Sequence, residues 1–464
     1  MSLHIFDSVQ KTKLRFTPIC KKAVKVYVCG PTVYDDAHLG HARSAIVFDL
    51  LHRVLIANGY SVIMTKNFTD IDDKIIKKMA QTNQSLDEVT QFYIQSYKND
   101  MAILNVLPNT LEPKATENLS AMIEMISGLI DDENAYVIDD GVYFDTSKDS
   151  EYGSLSHRVD DENTQARVEG NKQKKNQKDF ALWKFNEDIS FDAPFGKGRP
   201  GWHIECSAMI DKHLAYKDEA FAIDIHGGGA DLLFPHHENE ACQTRCAKNQ
   251  ELSKYWMHNG FVNINGEKMS KSLGNSFFLK DALKQYDGEV IRFYMMTTHY
   301  RANFSYALED LDSSKKRLDK IFRLKKRVFG LGKSAVSKEL KMNLLEALND
   351  DMNTSKALAY VDEYVAYANE TLDKEPKNKG FKKEVVASLE FIQEILGIAC
   401  KNPYAYFQFG IDEEMKKEIE KLIIERNQAK QAKNYEQSDT IRDKIMALGV
   451  SIMDTPQGTL WEKV

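Results

Sequence analysis

The residues with the most chemistry to offer fall in three places along the 464-residue chain. The first is His38-Leu39-Gly40-His41. Two imidazoles three apart at a helix start put hydrogen-bond donors where backbone N–H groups already attract phosphate. Gly40 has no side chain to keep a planar base off the helix backbone. The second is Lys268-Met269-Ser270-Lys271-Ser272, followed by Leu273-Gly274-Asn275. Two lysines three apart in such a loop can close on a polyphosphate and withdraw afterwards. The third is dispersed. Cysteines stand at 20, 29, 206, 242, 246 and 400, and His236 and Glu240 lie four apart. Cys29, Cys206, His236 and Glu240 offer two thiolates, an imidazole and a carboxylate, a donor set that suits zinc. Spacing alone does not decide the matter, because these residues come from three distant segments. His203 is a competing ligand, and Cys242 with Cys246 forms a weaker CxxxC pair. Cys20 and Cys400 read as inert thiols.

The elements that must position these residues follow from periodicity. Val24 to Gly30 alternates and is rich in β-branched residues, which predicts a strand. Ile46, Phe48, Leu50, Leu51, Val54 and Leu55 predict a helix over 42–59, and Tyr60 to Lys66 a second strand. Strand, helix, strand is a βαβ unit and implies a parallel sheet, whose ligands bind beyond the carboxyl ends of the strands. Cys29 to His41 falls there. Residues 117–200 are mixed and polar and read as an insertion between two halves of the sheet. Phe221 to His226 predicts another strand, followed by Gly227-Gly228-Gly229. Beyond Leu308 the chain turns helical. Lys315 to Arg327 carries eight basic residues against one acid, Asp319, over an apolar stripe of Leu318, Ile321 and Phe322. Lys401-Asn402-Pro403 reads as a linker, 412–432 as an amphipathic helix, and 449–461 as a terminal hairpin.

The order of these pieces carries a resemblance. HLGH early and KMSKS past the middle of a split parallel sheet resemble the class I aminoacyl-tRNA synthetases. Cys29-Gly-Pro-Thr-Val-Tyr-Asp, Gly201-Trp-His-Ile-Glu-Cys206-Ser, and the run from His226 through Phe234-Pro-His236-His-Glu-Asn-Glu240 narrow it to the cysteinyl-tRNA synthetases. The motif here is HLGH rather than HIGH, an equal-volume exchange at a packing position. The resemblance implies an α/β, Rossmann-type catalytic domain with an inserted subdomain, then a helical bundle and a small C-terminal α+β domain. The expected boundaries are 1–116 and 201–285 for the two catalytic halves and 117–200 for the connective insertion. They continue with 286–312 for a stem-contact region, 313–402 for the bundle and 403–464 for anticodon recognition.

The resemblance also implies the chemistry: ATP-dependent activation of L-cysteine, then transfer to the terminal adenosine of tRNA(Cys). It implies one zinc ion on Cys29, Cys206, His236 and Glu240, and magnesium with the ATP. His38, His41, Lys268 and Lys271 are expected at the phosphates. Gly40, Gly228, Gly229 and Asp231 are expected at the rest of the nucleotide, and Thr69, Trp202 and His226 at the cysteine. Tyr435, Arg442 and Trp461 are the candidates to read RNA in the tail. Two rivals remain: a ligase joining activated cysteine to a small amine, and a non-catalytic RNA-binding relative. The C-terminal part argues against the first and the intact motifs against the second. A net charge of -7 gives no global attraction to RNA, so such contacts must be local. The start of the chain carries no signal-peptide pattern and no window is long and apolar enough for a membrane span. A cytoplasmic monomer without membrane contact is the expectation.

Overall fold

The computed structural model describes residues 2–157, 173–185, 188–264, 267–268, 278–455 and 458–463, with only the backbone at 267–268. Lys271 and the rest of the second lysine motif after Lys268 lie outside the described residues.

A hairpin of β1 (His4–Asp7) and β2 (Thr12–Arg15) precedes β3 (Ala23–Val28), α1 (Leu39–Ala57), β4 (Ser61–Lys66), α2 (Asp73–Thr82) and α3 (Leu86–Ile103). The insertion contributes α4 (Leu119–Asp131) and the strands β5 (Ala135–Ile138), β6 (Gly141–Phe144), β7 (Phe180–Phe185) and β8 (Gly198–Pro200). Then come α5 (Trp202–His213), β9 (Phe221–Gly229), α6 (Glu238–Lys248), β10 (Glu251–Asn259), β11 (Val262–Ile264) and β12 (Glu267–Lys268). Next are α7 (Leu279–Gln285), α8 (Gly288–Met296), β13 (Phe304–Tyr306), α9 (Leu308–Arg327), α10 (Lys338–Asn349), α11 (Thr354–Lys374) and α12 (Lys379–Leu396). The C-terminal elements are α13 (Pro403–Tyr406), α14 (Glu413–Gln431), α15 (Tyr435–Ala447), β14 (Val450–Thr455) and β15 (Gly458–Lys463). The chain forms two compact units: Met1–Lys280, Met295–Ala307 and Asn343–Leu358; and Asp281–Tyr294, Leu308–Met342 and Ala359–Val464.

In the first unit the central sheet runs β10-β9-β3-β4, with every neighbouring pair parallel. The pleat sorts the side chains of β3. Val24, Val26 and Val28 face α1, while Tyr27 and Cys29 face the other way, toward Cys206 and Met209 of α5. The insertion is a four-stranded antiparallel sheet in the order β5-β6-β7-β8, packed through Phe144, Leu182 and Trp183 against Met125 and Ile126 of α4. Two boundaries differ from expectation. α1 begins at Leu39 rather than 42, because His38 caps it. β9 runs through the glycine triplet instead of ending before it, so Gly227–Gly229 pair with Met257–Asn259 of β10.

In the second unit the C-terminal helices α14 and α15 and the hairpin β14–β15 enclose their own core of Ile419, Ile423, Ile441, Ile445, Val450 and Trp461. The hairpin matches expectation, with Ile452 opposite Trp461. Residues 401–403 are no simple linker: Asn402 accepts N–H bonds from Tyr404 and Ala405, and Pro403 opens the short α13.

Candidate metal centre and nucleotide site

Cys29 leaves β3 on the α5 face. Gly30 follows because a Cβ there would stand 1.6 Å from the Asn67 carbonyl oxygen. The Gly30 N–H also donates to Asn67 Oδ1 at 2.8 Å, which ties the end of β3 to the segment bearing Thr69. Cys206 sits in the second turn of α5, and His236 in the wide turn Leu233–His237 that leads into α6. Glu240 lies on the first turn of α6, so the pair four apart shares one side although only Glu240 is within that helix.

These three segments converge. Cys29 Sγ lies 3.8 Å from Cys206 Sγ and 3.4 Å from Glu240 Oε1. Cys206 Sγ lies 3.7 Å from His236 Nε2, which is 2.7 Å from Glu240 Oε1. The four donor atoms all fall within 4.8 Å of one another. Two thiolates on one tetrahedral zinc stand roughly 3.8 Å apart, given Zn–S bonds of about 2.3 Å, so the sulfur pair already has the right edge length. Only the His236–Glu240 pair, now hydrogen-bonded, would have to open slightly. The residues therefore fit the ion. A second combination, Cys29, His226, His237 and Glu240, is equally compact. There, however, both nitrogens of His226 are engaged, Nδ1 with the Tyr27 carbonyl at 3.1 Å and Nε2 with Glu240 Oε2 at 2.5 Å. The set with two sulfurs is the better match to a soft ion.

The electrostatics suit a cation. Burial alone would push the Cys206 thiol up, but hydrogen bonds from Cys29 and His236 outweigh it and hold the thiol below its usual range. Burial would likewise lower His236, yet the Glu240 carboxylate and Cys206 raise it. Glu240 stays well below the usual carboxylate range against the cost of burial, because His226 and His236 flank it. Burial pushes Cys29 well up, and its hydrogen bond with Cys206 adds to that. Anionic and cationic partners thus meet in a dry pocket, where each is costly without the other.

Around this cluster the structure brings in some expected residues and adds others. Trp202 opens α5 and stacks on the His236 ring, with centroids 4.1 Å apart. His203 Nδ1 lies 2.9 Å from His236 Nδ1, so it braces that ring rather than joining the four donors. Thr69 is buried and donates to Glu205 Oε2 at 2.8 Å. Burial, with the Cys206 thiol beside it, holds Glu205 well above the usual carboxylate range. Sequence reasoning does not single out Glu205, although a carboxylate flanked directly by Ile204 and Cys206 is a signal. His226, expected at the substrate, is fully buried, with its Nε2 2.5 Å from Glu240 Oε2. His237 Nδ1 meets His258 Nε2 at 2.8 Å, and His258 Nδ1 meets Ser8 Oγ at 2.8 Å. Nothing local in the sequence announces that chain of bonds. Cys242 is buried in the core of the insertion, and Cys246 packs against it; neither belongs to a metal-compatible group among the described residues.

The HLGH segment is arranged differently from expectation. His38 Nδ1 accepts the N–H groups of Gly40 at 3.1 Å and His41 at 3.3 Å. The two rings stack with centroids 3.7 Å apart. The helix start therefore offers imidazole edges rather than bare amides, because a side-chain cap has already satisfied those donors. The second lysine motif is bracketed by described residues. Lys268 lies in β12, and beyond the motif Phe278 bridges to His38 while the Leu279 N–H donates to the Ala37 carbonyl at 2.8 Å. Gly228 and Gly229 end β9. A Cβ on Gly228 would stand 2.7 Å from the Leu232 side chain, and one on Gly229 would stand 2.5 Å from the carboxylate of Asp231, itself exposed. Arg43, which no local pattern marks, is buried on α1 and donates to the carbonyls of Met295, His299 and Ala302.

In the second unit the basic run lies on α9. Lys315, Arg317, Lys326 and Arg327 pair with Asp319, Asp362, Glu462 and Asp373. Lys325 is spent on the carbonyls of Ala399 and Lys401. Lys316, Lys320 and Arg323 are exposed at helical spacing. Tyr435 and Arg442 are exposed, but Trp461 is a core residue, so it is not available to stack on bases.

Residues 15–316 match the class I (C) tRNA synthetase catalytic domain, and residues 344–400 match the DALR domain. The chain is 65% identical to the cysteine–tRNA ligase of Aliarcobacter butzleri, over 100% of both chains. It is 61% identical to that of Nitratiruptor, over 99% of this chain and 100% of the other. Among solved structures, Mycobacterium tuberculosis methionyl-tRNA synthetase in complex with methionyl-adenylate superposes with a TM-score of 0.59 at 13% identity, covering 81% of this chain and 92% of that one. An Agrobacterium radiobacter LeuRS–tRNA complex gives 0.61 at 11%, covering 84% and 86%. At such identities the likeness is one of fold.

Proposed function

The chain belongs to the cysteine–tRNA ligases, within the class I aminoacyl-tRNA synthetases, and from that premise we propose how its residues divide the work. The enzyme activates cysteine with ATP and passes the acyl group to tRNA(Cys). Our residue-level reading rests on one observation above the others: two thiols, an imidazole and a carboxylate from three separate segments meet within 4.8 Å.

Cys29, Cys206, His236 and Glu240 would hold one zinc ion. The chemistry zinc would supply there, when bound, is ligation of the substrate sulfur as thiolate, for which a hydroxyl is a poor substitute. This matters because an ordinary pocket separates near-isosteres by only about 10²-fold, whereas protein synthesis needs about 10⁴ to 10⁵. His226 fixes the free oxygen of Glu240, Trp202 covers the His236 ring, and the Thr69–Glu205 pair forms a polar wall near Cys206. His38 and His41 meet the phosphates with their ring edges, and Lys268 and Lys271 complete the charge, with magnesium accompanying the ATP. Gly228 and Gly229 let the nucleotide approach β9, and Asp231 is placed to meet its hydroxyls or the substrate amine. No side chain need become a nucleophile: the substrate carboxylate attacks the α-phosphate and displaces pyrophosphate, giving cysteinyl-adenylate, and the enzyme contributes position and charge.

For the RNA we assign the exposed stripe Lys316, Lys320 and Arg323 to backbone contact, and Tyr435 and Arg442 to the tail's contacts. Cytoplasm, where ATP and tRNA meet, is the expected place of work, and no described helix is long and apolar enough to cross a membrane.

Metal analysis of the purified chain with cysteine-dependent pyrophosphate exchange tests the core of this reading. About one zinc per chain is expected, with Cys206→Ser losing metal and cysteine activation together. Retention of full zinc and normal cysteine affinity in that variant would remove Cys206 from the site.

A further inference from the structure

On the α1 face of the central sheet, opposite the face that carries Cys29, lies a cavity of about 280 Å³ in the first unit. That is close to the lower limit of small-molecule sites. Phe48 from α1, Met64 from β4, Met101 from α3 and Leu107 from the following loop give it apolar walls. The walls carry two carboxylates, Asp49 and Glu112, and two lysines, Lys66 and Lys98, and they differ in how they are paired. Asp49 accepts from Arg53 Nε at 2.8 Å and from the Leu107 N–H at 2.8 Å. Glu112 pairs with Lys98 at 2.5 Å and accepts from Asn109 at 2.9 Å. Burial lowers the pKa of His52, with Asp49 opposing. Lys66 remains. It is 7% exposed, its Nζ donates to the Tyr97 hydroxyl at 3.0 Å, and no ion pair involves it among the described residues.

The Lys66 Nζ is a buried nitrogen that lines an apolar void and has hydrogen-bonding capacity beyond its bond to Tyr97. The void is too narrow for a nucleotide and too apolar for a bare inorganic anion. We propose that it is a binding site for a compact organic carboxylate with an aromatic or branched body, whose carboxylate meets Lys66 and the Tyr97 hydroxyl. The occupant would lie against two side chains that touch the nucleotide machinery. Tyr97 meets His41 edge-on, with centroids 6.4 Å apart, and Phe48 lies so close to Gly227 that a Cβ there would stand 2.3 Å from its ring.

Benzoate, with benzamide as its neutral isostere, probes the site on the full chain by saturation-transfer NMR and calorimetry. Benzoate is expected to bind about tenfold tighter than benzamide, the size of one charge-assisted hydrogen bond. Lys66→Met keeps the side-chain volume and is expected to erase that difference. Ala102 is exposed on α3 where the cavity opens, so Ala102→Trp obstructs entry without disturbing the core and is expected to weaken both ligands. Binding must persist in saturating ATP. Equal affinities for benzoate and benzamide, no change in either variant, or displacement of benzoate by ATP would each overturn the assignment. Should Lys66→Met fail to fold, the Ala102→Trp and ATP arms still decide it.

Discussion

The cluster around Cys206 and the helix α9 both gather formal charge, and they dispose of it in opposite ways. Around Cys206, Glu205, His226, His236, His237 and Glu240 are at most 1% exposed, and the bonds among them satisfy one another. On α9 the lysines and arginines sit at the surface, some tied to nearby acids such as Asp362 and Asp373, others bare to solvent. Removing one member of a buried network strands its partner and costs several kcal/mol, whereas a surface pair is worth at most about 1 kcal/mol. Charge buried at such cost marks a site that must hold a geometry. Charge left in water marks a surface that must meet something.

Substitutions within the cluster should therefore have the largest effects. Glu240→Gln is expected to abolish metal retention and cysteine-dependent pyrophosphate exchange, with the fold monitored by far-UV circular dichroism. His226→Asn, which loosens Glu240 without removing it, is expected to lower metal affinity by about 10- to 100-fold. If instead it raised the KM for cysteine at unchanged metal content, His226 would be a substrate contact after all.

On α9 the expected loss is smaller and confined to RNA. Replacing Lys316, Lys320 and Arg323 together by Gln should leave pyrophosphate exchange within twofold. It should also flatten the salt dependence of tRNA charging, by about one unit of log–log slope for each of the three side chains that meets a phosphate. Unchanged charging across a salt series would place the RNA elsewhere.

Asp100 tests the cost of burial away from both regions. Burial, and then the charge of Asp36, raise its pKa from 3.8 to about 6, with Lys280 opposing. One of its oxygens lacks a hydrogen-bond partner. Because the folded-state pKa is the higher one, ionisation costs stability. The penalty is absent below about pH 4, grows as the pH rises toward 6 and is complete above it. Asp100→Asn should raise the melting temperature at pH 8 and leave it unchanged at pH 4. A rise of equal size at both pH values would point to packing rather than charge.

The smallest effect is expected at the surface of α9. Arg327→Ala removes a pair with Asp373 whose side chains are 34% and 70% exposed, so stability should change by less than about 1 kcal/mol in denaturant titration. A larger loss would blur the contrast between the two regions.

Much of this is legible along the chain. The βαβ unit, the terminal hairpin and the amphipathic helices announce themselves because side-chain periodicity is a local property. The HLGH and KMSKS motifs can be named because their types and order are so specific, whereas the four donor residues follow only from the resemblance those motifs carry. What escapes is whatever depends on contacts between distant segments. Trp461 and Tyr435 are both aromatics in a polar tail, yet only Trp461 is buried, because Ile419 and Ile445 happen to pack beside it. The predicted strand stops at His226 because a run of glycines has no side-chain pattern; pairing with β10 extends it through Gly229.

The sequence alone carries the reaction class, the residue types able to hold a zinc ion and the alternation that turns Cys29 and Val28 to opposite faces of the sheet. Tertiary structure alone decided that His226 serves Glu240, that His38 closes the helix start over its own amides, that Arg43 joins α1 to the carbonyls of 295–302, and that Lys66 is left with a hydroxyl and an empty space. The physical reason is common to all four. A residue's type fixes what it can donate or accept, but the partner that takes the bond is chosen by packing among residues tens to hundreds of positions away.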